Sequence, residues 1–256
     1  REGAPESMQL SLLTYNIHKG FTSGNRSFVL HKIRDLLREA DVDLVFLQEV
    51  LGAHAGHASK IINWPAASQF EFLADSVWGH YAYGKNAILD ASHHGNAILS
   101  KYPFATWANI NVSLFQRASR SLLHGTLQIP GIATRVHVLC VHFGLLGFER
   151  KGQIFALNRH LATIREHHEA IIIAGDFNDW TSRQVNRYLD PALGLQEVFM
   201  QSQRRHAKTF PARYPVFCVD RIYYSGLSLE SCQCLNGKNW QELSDHVPLQ
   251  ATFVVS

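Results

Sequence analysis

The chain has 256 residues, 46% hydrophobic and 18% charged, a balance that excludes a disordered, collagen-like or disulfide-stapled chain and suits a folded domain with a sizeable core. Its 24 Lys and Arg against 21 Asp and Glu leave a formal charge of +3, too mild to mark a protein that binds by wholesale phosphate neutralisation. No apolar run approaches the roughly 20 residues of a membrane span.

Residues 1–9 read as a tail without the apolar core of a signal peptide, so a cytoplasmic monomer is the expectation, with 10–256 as a single domain. Residues 10–15 (Leu-Ser-Leu-Leu-Thr-Tyr) read as a strand with Asn16 at its C-terminal end. A turn rich in Gly and polar residues follows. Val29, Ile33, Leu36, Leu37 and Ala40 then recur at helical spacing, giving an amphipathic helix over about 28–39. Residues 43–49 form a nearly all-apolar strand ending in Glu49, as expected of a strand buried on both faces.

Residues 51–92, with His54, His57 and a Trp64-Pro65 turn, carry the least regular pattern. Residues 95–100 read as a strand stopped by Pro103. Residues 122–129 and 135–142 alternate as two strands joined at Pro130-Gly131. A second helix is expected over about 149–167, with Ile154, Leu157, Leu161 and Ile164 on one face. Residues 170–175 are a buried strand running into Asp176-Phe177-Asn178-Asp179. Residues 216–224 read as a strand carrying Asp220 within it, and Ser244-Asp245-His246 precedes a final strand over 247–255. Cys140 and Cys218 sit in apolar runs, where free Cys acts as a small hydrophobe. Cys232 and Cys234 form a lone C-x-C that matches no zinc spacing.

Strand after strand thus ends in a residue able to handle a metal or a phosphate. In layered α/β folds, ligands collect at the rim where strand ends meet loops, and carboxylates at the ends of buried strands are costly unless paired or metal-bound. Acids, amides and imidazoles that converge there form an oxygen-rich site suited to Mg²⁺ or Mn²⁺. Each residue alone has a plainer reading. Glu49 could be a solvated strand end, Asp176-Phe177-Asn178 a turn, His142 a satisfied core histidine, and Ser244-Asp245-His246 a cap. The fifteen histidines and the ordered succession favour a site.

At this point the motifs match a family. Thr14-Tyr15-Asn16-Ile17, Leu47-Gln48-Glu49, the run from Gly95 to Pro103, Val141-His142-Phe143, Gly175-Asp176-Phe177-Asn178, Val219-Asp220-Arg221-Ile222-Tyr223 and Ser244-Asp245-His246 together resemble the endonuclease/exonuclease/phosphatase, or DNase I-like, superfamily. The Asn16-Ile17-His18-Lys19-Gly20 and Thr209-Phe210-Pro211 stretches look most like its bacterial YbhP-like branch. The resemblance implies a four-layer α/β sandwich, with two mixed sheets packed face to face and helices outside. It implies Mg²⁺ (or Mn²⁺) at Glu49, with Asn16 and Asp245 close to the ion. Asp176 would orient or deprotonate the attacking water, and Asn178 would hold that water or a phosphate oxygen. His246, its ring fixed by Asp220, would stabilise charge on the phosphorus oxygens, and His142 and Arg120 would contact the same phosphate.

The substrate implied is a phosphate ester, cleaved by metal-assisted attack of water. A nuclease, a lipid or small-metabolite phosphodiesterase and a phosphomonoesterase all remain open, as does a non-catalytic binding module on the same scaffold. A nuclease would need a basic face, for which Arg117, Arg120, Arg150, Lys151, Arg204, Arg205 and Lys208 are candidates. The aromatics Trp64, Phe70, Phe72, Trp78, Tyr81 and Tyr83 could line a substrate or simply pack a core. Ser244 beside His246 lacks the G-x-S-x-G elbow of a serine hydrolase.

Overall fold

A computed structural model describes residues 7–52, 68–89, 92–113, 120–165 and 169–256. His54, His57, the Trp64-Pro65 turn and Arg117 lie outside the described residues. Among those described, twelve strands form two six-stranded sheets. The first contains β1 (Met8–Asn16), β2 (Leu44–Leu51), β3 (His80–Leu89), β4 (Ser92–Ser100), β11 (Ser228–Cys234) and β12 (Leu249–Val255), in the order β11-β12-β1-β2-β4-β3. The second contains β5 (Phe104–Asn111), β6 (Ser121–Leu127), β7 (Val136–His142), β8 (Ala170–Asp176), β9 (Gln196–Glu197) and β10 (Asp220–Ser225), in the order β5-β6-β7-β8-β10-β9.

Each sheet has one parallel pair at its centre, β1 with β2 and β7 with β8. Parallel neighbours need a crossover. Helices α1 (Leu30–Ala40) and α3 (Gly147–Arg165) supply it, α2 (Gln69–Ala74) lying between them in sequence. Three short helices, α4 (Gln184–Tyr188), α5 (Val198–Gln203) and α6 (Lys238–Gln241), complete the chain. None of the described helices is long and apolar enough to cross a membrane.

The layers follow from strand parity. Successive side chains on a strand point to opposite faces. Leu10 and Leu12, Leu44 and Phe46, Val136 and Val138, Ala170 and Ile172, and Ile222 and Tyr224 meet in the core between the two sheets. Their alternate neighbours Leu13, Tyr15, Val45 and Leu47 pack under α1 through Leu30, Ile33 and Leu37. Leu139, Val141, Ile171 and Ile173 pack under α3 through Ile154, Leu157, Leu161 and Ile164, the helical face that the sequence spacing selects. Trp78 is fully buried in the α1 layer and donates from Nε1 to the Val42 carbonyl at 2.9 Å, so this aromatic serves the core.

The same parity places the polar strand ends. Counting by twos from the core residues, Asn16, His142, Asp176 and Asp220 are each an end residue of a strand that faces the opposite sheet. Asp220 is the first residue of β10, not an interior one: residues 216–219 lie outside the strand, and Phe217 forms an isolated bridge with Phe210 instead. Because β10 runs antiparallel to β8, its first residue pairs with the last of β8, Asp220 with Asp176.

Two backbone devices hold this rim. Gly175 has φ 148°, and a Cβ there would lie 2.0 Å from the Val141 carbonyl oxygen of the paired strand. Glu49 has the wrong parity for the seam. The register of β2 against β4 shifts between Leu47 and Val50, and Glu49 adopts φ 54° in that bulge, which turns its side chain back toward Asn16.

Three of the fifteen histidines form a separate group. On the outer face of the second sheet, His160 Nε2 is 2.9 Å from His124 Nδ1 and His124 Nε2 is 2.9 Å from His137 Nδ1, while His137 turns Nε2 to Glu169. The series is satisfied when every ring is neutral. Burial, followed by the charges of His160 and His137, pushes His124 down to about 4.

Gly175→Ala should therefore cost at least about 1–3 kcal/mol, read as a lower midpoint in urea unfolding; an unchanged midpoint would contradict the close approach. The lowered His124 pKa means that the unfolded chain binds the extra proton between about 6.5 and about 4. Stability should fall as the pH drops through that window, and His124→Gln should flatten the fall in a melting-temperature series.

Candidate active site

The rim brings the sequence-selected residues together. Asp176 is its centre, 1% exposed. Asn16 Nδ2 reaches across from the first sheet to Asp176 Oδ2 at 3.2 Å and to Glu49 Oε1 at 3.3 Å. From the neighbouring strand, His142 Nε2 lies 3.5 Å from Asp176 Oδ2. His246 Nε2 approaches the same oxygen at 3.7 Å. The Asn178 backbone N–H donates to Asp176 Oδ1 at 2.9 Å, with Asn178 at φ 48°, a left-handed conformation that Asn tolerates.

His246 is held from behind. Its Nδ1 is 2.7 Å from Asp220 Oδ2. Burial alone would lower its pKa, but the charge and hydrogen bond of Asp220, then the charges of Asp176 and Asp245, outweigh it and raise the ring to about 10. An imidazolium results, its Nε2–H toward Asp176 and, at 3.9 Å, Asp245 Oδ1. Asp176 moves the other way. Burial and then the charge of Asp220 push it up to about 7, against the pull of His246. His142 is held neutral: burial, then the charges of Arg120, His246, His94 and Lys19, lower it well below the usual histidine value. Arg120 Nη1 lies 3.3 Å from His142 Nδ1, so the neutral ring accepts from the guanidinium and points Nε2–H at Asp176.

Together these groups border an open cleft of about 320 Å³. Glu49, Arg120, His142, Asp176, Asn178, Asp245 and His246 all line it. Asn16 and Asp220 stand behind it as positioning partners. Residues not singled out in the motif succession also line it. Lys19 comes from a short 3-10 turn after β1, His94 from β4, Leu145 from the loop after β7, Trp180 from the turn between β8 and α4, and Phe210 from the loop after α5. Phe210 packs its ring 5.0 Å from that of His246, and Trp180 packs edge-on to Phe210 at 5.3 Å.

Several neighbours serve architecture. The Ser244 hydroxyl donates to the Asn16 carbonyl at 2.6 Å, tying the Asp245-His246 loop to the end of β1 and committing the proton a nucleophile would have to lose. Asp179 and Arg221, both fully buried, pair at 3.4 Å, and Asp179 also caps α4 through the Val185 N–H. Arg150 does not form part of a basic face. It is 7% exposed and binds Gln184 Oε1 and the carbonyls of Gly144 and Leu145.

Two sets of groups could meet a cation. The ligand atoms of Asp176, Asp220 and His246 lie within 4.8 Å of one another, but Asp220 and His246 already satisfy each other. Glu49 and Asp245 offer carboxylate oxygens at the cleft surface, where a small hard cation keeps part of its water. The Asn16 amide turns its NH₂ to the carboxylates and its Oδ1 to the His18 N–H at 3.1 Å. It therefore tethers Glu49 from below.

This fold belongs to a known class. Residues 13–246 match the model of the Endonuclease/Exonuclease/phosphatase family, and the chain is a member of that family. It is 41% identical over 246 residues to YbhP of Escherichia coli K12, covering 96% of each chain. Among solved structures, an endonuclease/exonuclease/phosphatase from Beutenbergia cavernae superposes with a TM-score of 0.76 at 18% identity, over 97% of this chain and 72% of that one. ANGEL2, a 2′,3′-cyclic phosphatase, gives a TM-score of 0.69 at 17% identity over 97% and 95%. Both superpose over two mixed sheets packed face to face with helices outside.

The raised His246 pKa has a thermodynamic signature. Its stabilising contribution is complete below about 6.5, the unfolded value, and is lost as the pH rises through about 10. Melting temperature should decline across that interval, and Asp220→Asn should make the decline shallower. An equally steep decline in the variant would contradict the pairing.

Proposed function

We propose that the chain hydrolyses a phosphodiester by in-line attack of water, assisted by Mg²⁺ or Mn²⁺. The observation that supports this most strongly is the meeting, at one rim, of a buried carboxyl raised to about 7 with an imidazolium and two further cations, Lys19 and Arg120. Hydrolysing such an ester requires a water deprotonated near an anionic phosphorus and the offsetting of charge on its oxygens.

Asp176 is the base. A carboxyl raised to about 7 is closer in proton affinity to water than an ordinary Asp, yet is ionised to a useful extent at neutral pH. The Asn178 N–H holds Oδ1 and leaves Oδ2 on the side of Asn16, His142 and His246. His246 remains charged at any physiological pH and directs Nε2–H to where phosphoryl oxygens would gather. Asp220 keeps that ring charged and oriented without reaching the substrate. Arg120, steadied by neutral His142, and Lys19 supply the remaining donors to phosphate. Asn178 lines the cleft while its Nδ2 is tied to the Phe143 carbonyl at 2.7 Å, which leaves its Oδ1 for the water.

The cation fits Glu49, with Asp245 and Asn16 beside it. When bound it polarises the phosphoryl oxygens and offsets the charge of the leaving oxygen. A cyclic diester is the substrate class in the name of the structural neighbour ANGEL2, which is compatible with diester cleavage here.

Glu49→Gln should abolish Mg²⁺-dependent hydrolysis of bis-p-nitrophenyl phosphate while leaving the circular dichroism spectrum unchanged. His246→Ala and Asp176→Asn should each lower kcat by about 10²–10³ or more. Wild-type rates in any of the three, or activity undiminished by EDTA, would contradict the reading.

A further inference from the structure

Asp245 lines both the cleft and a second basin of about 460 Å³. We propose that this basin holds a second phosphate of the substrate, bound by Arg26 and Arg213; the proposal rests on the phosphoesterase reading and narrows its substrate to compounds carrying two phosphoryl groups.

The same two chain segments build both compartments. The segment after β1 gives Lys19 to the cleft and Arg26 to the basin. The segment after α5 gives Phe210 to the cleft and Arg213 to the basin. Both are fixed in place. Phe21 and Phe28 bridge the base of the first loop, and the Thr22 N–H donates to the Ser27 carbonyl at 2.9 Å. In the second, the Ala212 N–H donates to the Asp245 carbonyl at 2.8 Å. A ligand entering both compartments therefore meets walls whose spacing is set by the fold.

The chemistry of the basin suits phosphate. Arg26 and Arg213 are exposed, and among the described residues neither guanidinium makes an ion pair or hydrogen bond. Arg221 and Arg120, by contrast, are engaged, with Asp179 and His142. Two unengaged guanidiniums, with the Ser23 and Ser27 hydroxyls on the same wall, match the several acceptor oxygens of a phosphate group. Opposing charge comes from Asp245, which faces His18 and His246 at 3.7 and 3.9 Å, and from Glu242 on the basin wall. Glu242 should weaken anion binding, and its removal should strengthen it.

Calorimetric titration in Mg²⁺ tests this directly. The probes are thymidine 3′,5′-bisphosphate against thymidine 3′- and 5′-monophosphate, and myo-inositol 1,4-bisphosphate against myo-inositol 1-phosphate. In at least one series the bisphosphate should bind about tenfold or more tightly than its monophosphates; the series that shows it distinguishes a nucleotide from a polyol source. The R26A/R213A double variant should bring that ratio to within about twofold of unity, and E242Q should widen it. Equal binding of mono- and bisphosphates by the wild type in both series would overturn the proposal, as would a ratio that the double variant retains. Hydrolysis of bis-p-nitrophenyl phosphate, which has no second phosphate, separately tests the catalytic reading: its absence would sink that reading while the binding ratio still decides the basin.

Discussion

The structure depends on one costly choice, a carboxylate buried between two sheets. Asp176 ends the central strand of the second sheet at a point where water is nearly excluded, and a lone charge there would be prohibitive. Its tolerance comes from partners contributed by separate elements: an amide from β1, an imidazole from β7, an imidazolium from the loop before β12 and a backbone N–H from its own turn. Remove the sheet-to-sheet packing and these partners disperse, so fold and site stabilise one another. The same confinement that makes the charge expensive lifts the proton affinity of Asp176 into a range useful at neutral pH.

The architecture repeats the arrangement. Each sheet places a parallel pair at its centre and crosses over through a helix on its outer face, so four buried strands deliver their C-terminal ends to one rim. Parity then assigns Asn16, His142, Asp176 and Asp220 to the seam without further design. Glu49 is the exception, and a bulge re-aims it. Asp179 and Arg221, fully buried, secure the turn that follows Asp176 against the strand that begins with Asp220, so the two carboxylates share a rigid base.

The interior strands were legible in the sequence and the edges were not. Apolar runs mark β1, β2, β4, β6, β7, β8, β10 and β12, each with a strand on both sides. The strands without such a signal are β3, β5, β9 and β11, the outer strands of the two sheets. An edge strand such as β5 leaves most of its side chains in solvent and has little reason to alternate. The apolar run from Val216 to Val219 puts Asp220 inside a strand on sequence alone, yet Val216 and Phe217 are exposed in a loop. Of the cleft, the strand-end acids and imidazoles were readable because buried polar ends stand out. Lys19, Trp180 and Phe210 come from turns where no periodicity identifies them, and Arg150 proved to be a buried loop clamp. The family model, matching residues 13–246, agrees with the motif succession; the parity that brings those motifs together became visible only in the fold.

The proton affinity of Asp176 is the most direct test of this account. With ¹³C-labelled aspartate, the Asp176 carboxyl resonance, assigned by its loss in Asp176→Asn, should titrate near 7 in metal-free protein and move to lower pH when Mg²⁺ is added. A resonance that titrates near 4, as an exposed aspartate does, and ignores the cation would contradict the claim that the two sheets confine this charge beside a metal-binding rim.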